Sequence, residues 1–312
     1  MTKIVFFGTS SFSATILESL FFDKRFSVSA VVTTLDKPVG RKQLMQESAV
    51  AQLANALELP LHKMVSVRSI EAEEILKAYN AEFFVVAAYG KIIPKNILDI
   101  PSLGSINVHA SLLPAYRGAA PIQGALLNGE QKTGITIMRM DEEIDHGQIY
   151  AQHLLDIEAD ECEPQLETKL AALSATNIGD DLEKIKNGTL VATDQDHSKA
   201  TFTKIITKED GHINWNKSAS EIFNQFRAYY EWPGIFSLYD GKRIKITDCQ
   251  PGEIVLNENK KAGTIFSEEN KIYVACGVGA LQLLLIQPEG KHPMLPQEFI
   301  NGHKDFLNSH FE

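Results

Sequence analysis

The stretch SINVHASLLPAYRGAAPIQGALLNGEQKTGITIMRMDEEIDHGQIY occupies residues 105–150 and contains two short apolar segments that are typical of buried β-strands. The first segment ends in an Asn-Val-His tripeptide whose polar members are Asn107 and His109. The second covers residues 133 to 140 and leads into a polar loop that contains Asp145. Because side chains alternate between the two faces of a strand, Asn107 and His109 are predicted to share one face.

An amide, an imidazole and a carboxylate are therefore expected at the ends of neighbouring strands. This combination suits acyl transfer, in which an amide stabilises a developing oxyanion, an imidazole exchanges a proton and a carboxylate orients its partner. The spacing alone leaves a structural alternative open, with Asn107 as a turn residue and His109 as a hydrogen-bonded core histidine. Asp145 has a similar alternative as a loop cap, and three further acidic residues stand at positions 141 to 143.

The first half of the chain alternates apolar strand-like segments with helix-like segments, which predicts a Rossmann-like, doubly wound and mostly parallel sheet. Ligands of such sheets bind beyond the carboxyl ends of the strands. The first turn reads GTSSF rather than GxGxxG, which argues against a nicotinamide dinucleotide enzyme. The segments behind this prediction are strands at 3–8, 28–33 and 83–88, and helices at 11–21, 47–57, 70–79 and 165–185.

The last third predicts a different architecture. A helix at residues 218–230 is followed by evenly spaced short strands at 243–248, 261–266, 271–276 and 281–287, a pattern typical of a small β-barrel. The polar stretch between the halves lacks strong periodicity and is interpreted as a linker. The predicted organisation is a catalytic domain at 1–189, a linker at 190–207 and a C-terminal domain at 208–312.

Bulk properties narrow the class of protein. With 312 residues, 44% hydrophobic and 22% charged, the chain has an ordinary globular composition, and no apolar run is long enough for a signal peptide or a membrane span. The three cysteines lie far apart without CxxC spacing, and the nine histidines form no HExxH motif, so no metal is expected. These features predict a cytoplasmic protein with free thiols.

The formal net charge of −10 is unusual for a protein that binds RNA, because phosphate contacts normally need lysine and arginine. An acidic total still permits a local basic face, although acidic neighbours make a mixed solvated surface an equal alternative. Candidates beyond residue 200 are Lys204, Lys208, Arg227, Lys242, Arg243, Lys245, Lys260, Lys261 and Lys271.

Taken in order, the motifs NVHxSLLPxxRGAAP and TGITIMxMDxxxDxG resemble those of folate-dependent formyltransferases. The opening KIVFFGTSSFS, the segments DKPVGR at 36–41 and VVAAYGKIIP at 85–94, and the tail segments NWNKSASEIFNQFRAYYEWPG and LQLLLIQPEGKHPM are similar to the methionyl-tRNA formyltransferase family. The resemblance covers nearly the full chain.

This resemblance implies transfer of a formyl group from 10-formyltetrahydrofolate to the α-amino group of methionyl initiator tRNA, by a monomer with an OB-like C-terminal domain. It implies catalytic roles for Asn107, His109 and Asp145. The implied folate wall consists of Ser111, Leu112, Leu113, Pro114, Val86 and Tyr89. The implied tRNA contacts are Arg41, Lys37, Lys42 and Lys204.

One segment departs from the family pattern, because the usual GRGKKLxPSPV is replaced by GRKQLMQESAV from Gly40 onward. The change removes a glycine, a lysine and two prolines from a loop that contacts tRNA in the related enzymes. It leaves an N-formyltransferase of amino-sugar nucleotides as an alternative function. A non-catalytic folate- or RNA-binding module is a third alternative, and it would not require the three polar groups together.

Overall fold

The computed structural model describes residues 1–39, 44–254 and 260–312. The chain divides into two compact units. The first unit comprises Met1–Pro121, Lys132–Ile157 and Leu166–Lys204, and the second comprises Ile122–Gln131, Glu158–Gln165 and Ile205–Glu312. The predicted boundaries at 189 and 208 stay a prediction. Sequence patterns do not indicate that the short segments Ile122–Gln131 and Glu158–Gln165 belong to the second unit.

Strands and helices alternate through the first two thirds of the chain. In chain order they are β1 (Thr2–Gly8), α1 (Ser11–Phe22), β2 (Phe26–Thr33), β3 (Lys37–Val39), β4 (Leu44–Gln46), α2 (Ala49–Ala56), β5 (Leu61–Lys63), α3 (Ile70–Ala78), β6 (Phe83–Ala87), α4 (Lys95–Leu98), β7 (Ser105–His109), β8 (Arg117–Gly118), α5 (Pro121–Leu127), β9 (Lys132–Arg139), β10 (Ile149–Asp156), α6 (Glu163–Lys186) and β11 (Phe202–Thr203).

The first unit is built on a seven-stranded sheet in the order β10-β9-β7-β6-β1-β2-β5. The five strands from β7 to β5 pair in parallel, whereas β9 and β10 pair antiparallel at one edge. Strand β6 reads FFVVA and is buried throughout, as expected for a parallel strand covered on both faces. The predicted mostly parallel, Rossmann-like sheet is confirmed.

Serine side chains begin three of the helices in this unit. Ser10, Ser48 and Ser69 stand at the N-caps of α1, α2 and α3, and each side chain accepts a hydrogen bond from a backbone N–H three residues later. Such caps satisfy amides that have no partner within the helix. They define the residue at which each of these helices begins.

Sheet register aligns residues of four strands at the position of Asn107. Phe7 pairs with Val86, Val86 pairs with Asn107, and Asn107 pairs with Met138. Because paired residues point to the same face, Asn107 continues the face on which Phe7 and Val86 form part of an apolar core. The amide therefore stands where that apolar face reaches the carboxyl end of β7.

The second unit contains the remaining regular elements, which are α7 (Ala219–Ala228), β12 (Ile235–Tyr239), β13 (Lys242–Pro251), β14 (Ile265–Glu268), β15 (Lys271–Ala275), β16 (Ala280–Pro288) and α8 (Pro296–Gly302). Its strands form one antiparallel sheet in the order β12-β13-β16-β15-β14, in which β12 and β14 are the edges. The predicted small C-terminal β domain is confirmed, and its sheet is antiparallel.

In the second unit the sequence prediction missed two elements and placed the start of one strand too early. Strand β12 was not predicted, because its five residues follow the turn-like WPG directly and resemble a loop. The predicted strand at 261–266 begins only at Ile265, since Gly263 has φ +89° and belongs to a turn. Helix α8 is short and contains a proline in its first turn, and it too was missed. In the described part of the chain, no helix has both the length and the apolarity needed to cross a bilayer.

Candidate active site

The carboxyl end of β7 places two polar side chains in buried positions. Asn107 and His109 lie two residues apart on this strand and are only 8% and 6% exposed. Polar groups are costly to bury unless they form hydrogen bonds, so both side chains need partners in their neighbourhood. Those partners come from the loop after β9 and from the loop after β7.

Asp145 is the partner that joins them. Its Oδ1 accepts a hydrogen bond from Asn107 Nδ2 at 3.2 Å and lies 3.6 Å from His109 Nδ1. Its Oδ2 accepts a hydrogen bond from the backbone N–H of Gly118 at 2.8 Å. Asn107 and His109 therefore converge on the carboxylate of Asp145, which remains partly open to solvent. These are the three residues that the sequence proposed as catalytic.

The other ring nitrogen of His109 determines its hydrogen-bonding state. His109 Nε2 lies 3.0 Å from the carbonyl oxygen of Tyr116, and a carbonyl can only accept. Nε2 therefore carries a hydrogen, and Nδ1 is the ring nitrogen that faces Asp145. Tyr116 has φ +61°, so the loop adopts a left-handed turn at the residue whose carbonyl holds the ring.

The Ser-Leu-Leu-Pro segment after β7 is held by side chains of the antiparallel edge. Ser111 Oγ donates to the carbonyl of Ala115 at 2.7 Å, and the Leu113–Pro114 peptide is cis. Thr136 Oγ1 donates to the carbonyl of Ser111 at 2.6 Å and accepts from the N–H of Leu113 at 3.1 Å. The segment predicted as a folate wall is therefore a braced loop beside His109. Leu112 and Pro114 are partly exposed in it.

The predicted folate contacts on the neighbouring strand are placed differently. Val86 and Tyr89 are 5% and 2% exposed, and the Tyr89 ring packs edge-on against Phe7 with 5.6 Å between centroids. The Tyr89 hydroxyl has no hydrogen-bond partner among the described residues, and burial raises the pKa of Tyr89 to about 12. Both side chains belong to the apolar core, so backbone groups at the end of β6 are what this segment offers to a ligand.

Sequence patterns missed an outer layer that comes from the stretch predicted as a linker. Strand β11 pairs in parallel with β8, and Thr201 Oγ1 accepts a hydrogen bond from the N–H of Tyr116 at 2.8 Å. Gln195 donates to the backbone carbonyl of Asp145 at 2.9 Å. Residues 193 to 203 thus pack against both loops that present the polar set. A single glutamine in a polar segment carries no periodic signal that would have identified it.

Four lysines and arginines were predicted to contact tRNA. Lys37 is exposed on β3, opposite Gln46 of β4, and Lys204 is exposed at the end of the first unit. Arg41 and Lys42 lie outside the described residues.

Arg227, a further basic candidate, serves the interior of the second unit. It is only 5% exposed and donates to the carbonyls of Glu158 and Glu161 and to Asn224. Its guanidinium is therefore engaged in the fold rather than presented to a phosphate backbone.

The three cysteines are buried and free. Burial raises the pKa of the Cys162 thiol to about 11 and that of Cys276 to about 12, and it raises the pKa of Cys249 well above its ordinary value. The thiols are therefore protonated near neutral pH and poor nucleophiles. No group of three or more potential metal ligands occurs within residues 1–39, 44–254 and 260–312.

The fold and this polar set define a transferase of one known class. The formyl transferase family model matches residues 2–178, and the model of the formyl transferase C-terminal domain matches residues 205–304. The chain belongs to the formyl transferase family. The family membership and the enzyme class predicted from the motifs are confirmed.

Relatives of high similarity narrow the position within this family. The methionyl-tRNA formyltransferase of Caldicellulosiruptor saccharolyticus is 44% identical over 303 residues, covering 96% of this chain and 97% of its own. The methionyl-tRNA formyltransferase of Caldanaerobacter subterraneus is 42% identical over 302 residues, with 96% and 97% covered.

A solved structure shares the fold at lower identity. The N-formyltransferase of Helicobacter canadensis, in complex with folinic acid and dTDP-3-aminofucose, superposes with a TM-score of 0.67 at 20% identity. The match covers 92% of this chain and 100% of that protein. At this identity the likeness shows the fold alone.

Proposed function

We propose that this protein transfers the formyl group of 10-formyltetrahydrofolate to the α-amino group of methionine carried by initiator tRNA, for translation initiation. The observation that carries the proposal is the convergence of Asn107 and His109 on Asp145, at 3.2 Å and 3.6 Å, in a chain 44% identical to a methionyl-tRNA formyltransferase. The C-terminal match to a second formyl transferase domain supports the same choice.

Asp145 is proposed as the group that receives the proton of the attacking amine, directly or through a water. The amine nitrogen must be neutral to form its bond to the formyl carbon, and it becomes positively charged as that bond forms. A carboxylate held by three neighbours, yet partly solvent-exposed, is well placed to accept that proton. General base catalysis of this kind contributes about 10²- to 10⁴-fold.

Asn107 and His109 are proposed to stabilise the oxyanion of the tetrahedral intermediate. The Asn107 amide has two hydrogens and uses one on Asp145, which leaves the second for the oxyanion. His109 is held through Nε2 by the Tyr116 carbonyl, so the protonated ring can donate only from Nδ1. Collapse of the intermediate re-forms the C=O bond from the oxyanion and breaks the C–N10 bond, whose electron pair goes to N10. N10 takes up the proton that Asp145 received from the amine.

The residues fit a folate co-substrate in chemical character. Partly exposed Leu112 and Pro114 stand on a loop braced by Thr136, and the carboxyl end of β6 offers backbone groups next to Asn107. A flat pterin ring suits an apolar wall combined with backbone donors and acceptors. Bound there, 10-formyltetrahydrofolate would supply the electrophilic formyl carbon. In support, HypX of Aquifex aeolicus and the Helicobacter canadensis enzyme were solved with folate derivatives.

The tRNA partner is proposed to contact Lys37, Arg41, Lys42 and Lys204, together with the second unit. With a net charge of −10, binding needs a local cluster of positive charge rather than a general one. The proposed location is the cytoplasm, where initiator tRNA is charged, and the proposed oligomeric state is a monomer. No metal takes part in the proposed reaction.

Single-turnover formyl transfer tests the proposal. The protein is mixed with 10-formyltetrahydrofolate and methionyl initiator tRNA at about 50 to 200 mM salt, a range over which phosphate contacts weaken strongly. Parallel reactions replace the tRNA with a panel of amino-sugar nucleotides. Fast transfer to the tRNA alone, with affinity that falls steeply as salt rises, is the expected result. Transfer to a sugar amine without transfer to tRNA would overturn the acceptor and keep the chemistry.

A further inference from the structure

Gln195 occupies a buried position between the catalytic loop and an arginine. It is 6% exposed, and its Nε2 donates to the carbonyl of Asp145 at 2.9 Å and to the carbonyl of Gly147 at 2.7 Å. Its Oε1 accepts from Arg117 Nη2 at 2.7 Å and from Arg117 Nε at 3.2 Å. The amide nitrogen faces two acceptors and the amide oxygen faces two donors, so the side-chain amide has only one favourable orientation.

Arg117 is itself held in place. The side chain is 4% exposed, its Nη2 donates to His197 Nδ1 at 2.8 Å, and its guanidinium carbon lies 5.9 Å from the centre of the Phe202 ring. An arginine held from several sides loses little further freedom when it donates two bonds to Gln195. The pair therefore forms a rigid support that links β8 to the segment before β11.

This support acts on the backbone that presents the catalytic carboxylate. The two carbonyls that Gln195 binds flank His146, so one side chain fixes the path of the loop from Asp145 to Gly147. Asp145 has φ +48°, a left-handed conformation that residues other than glycine adopt only at an energetic cost. Gly147 has no room for a side chain, because an added Cβ would collide with the carbonyl of Arg139.

We propose that Gln195, oriented by Arg117, is a positioning residue that holds Asp145 in contact with Asn107 and the Gly118 amide. This inference rests on the proposed function only in that Asp145 is the group whose placement limits formyl transfer. Gln195 touches no substrate in this account and acts through two backbone carbonyls. A displacement of about 1 Å at a catalytic group can lower a rate about 10²-fold.

The substitution Q195E separates positioning from general support of the fold. A carboxylate at this position still accepts both bonds from Arg117, so the buried arginine keeps its partner. It cannot donate to the carbonyls of Asp145 and Gly147, and it places oxygen against oxygen there. The loop from Asp145 to Gly147 is expected to shift, while the contact between position 195 and Arg117 survives.

The measurement is steady-state and single-turnover formyl transfer by the full-length Q195E protein, with thermal unfolding recorded on the same sample. The expected result is a kcat lowered about 10- to 100-fold, with KM for tRNA and for the folate within about 3-fold of wild type. A melting temperature close to that of wild type is expected beside it. Unchanged kcat in a folded Q195E protein would overturn the proposal.

Two further variants keep the test decisive if Q195E folds poorly. Q195M removes all the hydrogen bonds at similar volume, and Q148M makes the same change in a glutamine that joins the same two segments on the surface. Among the described residues, the Gln148 side chain donates from Nε2 to Asp194 Oδ1 alone, at 2.8 Å. Q195M is expected to lose kcat as Q195E does, and Q148M to stay within about 2-fold of wild type. Equal losses in both would indicate a structural effect alone.

A double-mutant cycle locates the effect on Asp145. If Gln195 acts only through that carboxylate, adding Q195E to D145N should change the single-turnover rate by less than about 3-fold. An equal fold loss in both backgrounds would show that Gln195 acts elsewhere. Failure of the proposed function is a separate result, because it appears as wild-type protein that does not formylate methionyl-tRNA. The cycle is then measured with the acceptor that the wild type does formylate.

Discussion

The two sides of the candidate active site are built on different principles. The inner side is strand β7, where alternation in a buried strand puts Asn107 and His109 on one face. The outer side is the stretch from residue 193 to 203, which follows α6 and contains a 3-10 helix at His197–Lys199 and the two-residue strand β11. Both sides contact the loop of Asp145, yet only the inner one leaves a periodic pattern in the sequence. Gln195, placed by hydrogen-bond complementarity, therefore contacts the same loop as the regularly placed Asn107 without leaving a periodic pattern.

Substitution of Asp145, the carboxylate whose loop both sides contact, should have the largest effect. D145N keeps the size of the side chain but removes the negative charge and the proton acceptor. We expect kcat to fall about 10²- to 10⁴-fold, as for other general bases, with tRNA binding retained. Single-turnover transfer measures the rate, and filter binding of tRNA is the control. A D145N protein whose single-turnover rate stays within about 5-fold of wild type would contradict a general-base role for Asp145, because loss of a general base costs about 10²-fold or more.

Gly118 joins the two sides and should rank next. Its N–H donates to Asp145, its φ is +107°, and an added Cβ would lie 2.6 Å from the Thr203 carbonyl. G118A must therefore strain the turn or push β11 away. We expect a loss of about 1–3 kcal/mol of unfolding free energy and about a tenfold loss of kcat.

Denaturant unfolding and steady-state kinetics check the two parts of the G118A prediction. A matched control is G188A, because Gly188 also has positive φ but no atom within 4 Å of an added Cβ. That variant should show the backbone strain without the kinetic defect. If both variants lose kcat equally, the contact with β11 is not what matters.

A smaller effect is expected for the brace of the folate loop. Thr136 Oγ1 donates to the Ser111 carbonyl and accepts from the Leu113 N–H, so T136V leaves two buried backbone groups without a partner. We expect about 1–3 kcal/mol of destabilisation. KM for the folate should rise several-fold while KM for tRNA stays unchanged. Equal changes in both KM values would contradict a local role for this loop.

The smallest effect is expected at Tyr89, which tests whether the end of β6 contributes side chain or backbone. Y89F removes a buried hydroxyl for which the described part of the chain provides no hydrogen-bond partner, so at pH 7 stability should be unchanged or raised by up to about 1 kcal/mol. KM for the folate should be unchanged, because the ring belongs to the core. A several-fold rise in that KM would restore Tyr89 as a direct folate contact.

Alkaline pH gives a second measurement on the same pair of proteins. The folded-state pKa of Tyr89 is raised to about 12 from an ordinary value of 10.0, so folding favours the neutral phenol. The contribution of this pKa difference to the free energy of unfolding is fully present below pH 10 and is lost as pH rises from 10 to about 12. Denaturant unfolding at pH 8 and pH 11 should show a steeper loss for wild type than for Y89F. Identical losses would contradict burial of this hydroxyl in solution.

The sequence by itself determined the architecture and identified the candidate residues Asn107, His109 and Asp145. Strand and helix periodicities over the first half predicted the parallel sheet, because repeated burial of one face leaves a repeated pattern of apolar residues. The motifs around Asn107, His109 and Asp145 identified the family, and their convergence followed from strand alternation and sheet adjacency. Elements of few residues, such as β12 and α8, escaped prediction because so short a segment carries little periodic signal.

Only the tertiary structure decided which other residues complete the site. Gln195 lies 50 positions from Asp145 and 78 from Arg117 along the chain, and nothing local relates the three. Tyr89, which the motif placed beside the ligand, is turned into the core by the packing of Phe7. Hydrogen-bond complementarity between distant segments depends on their position in space, and that position is set by the packing of the whole sheet rather than by any stretch of sequence.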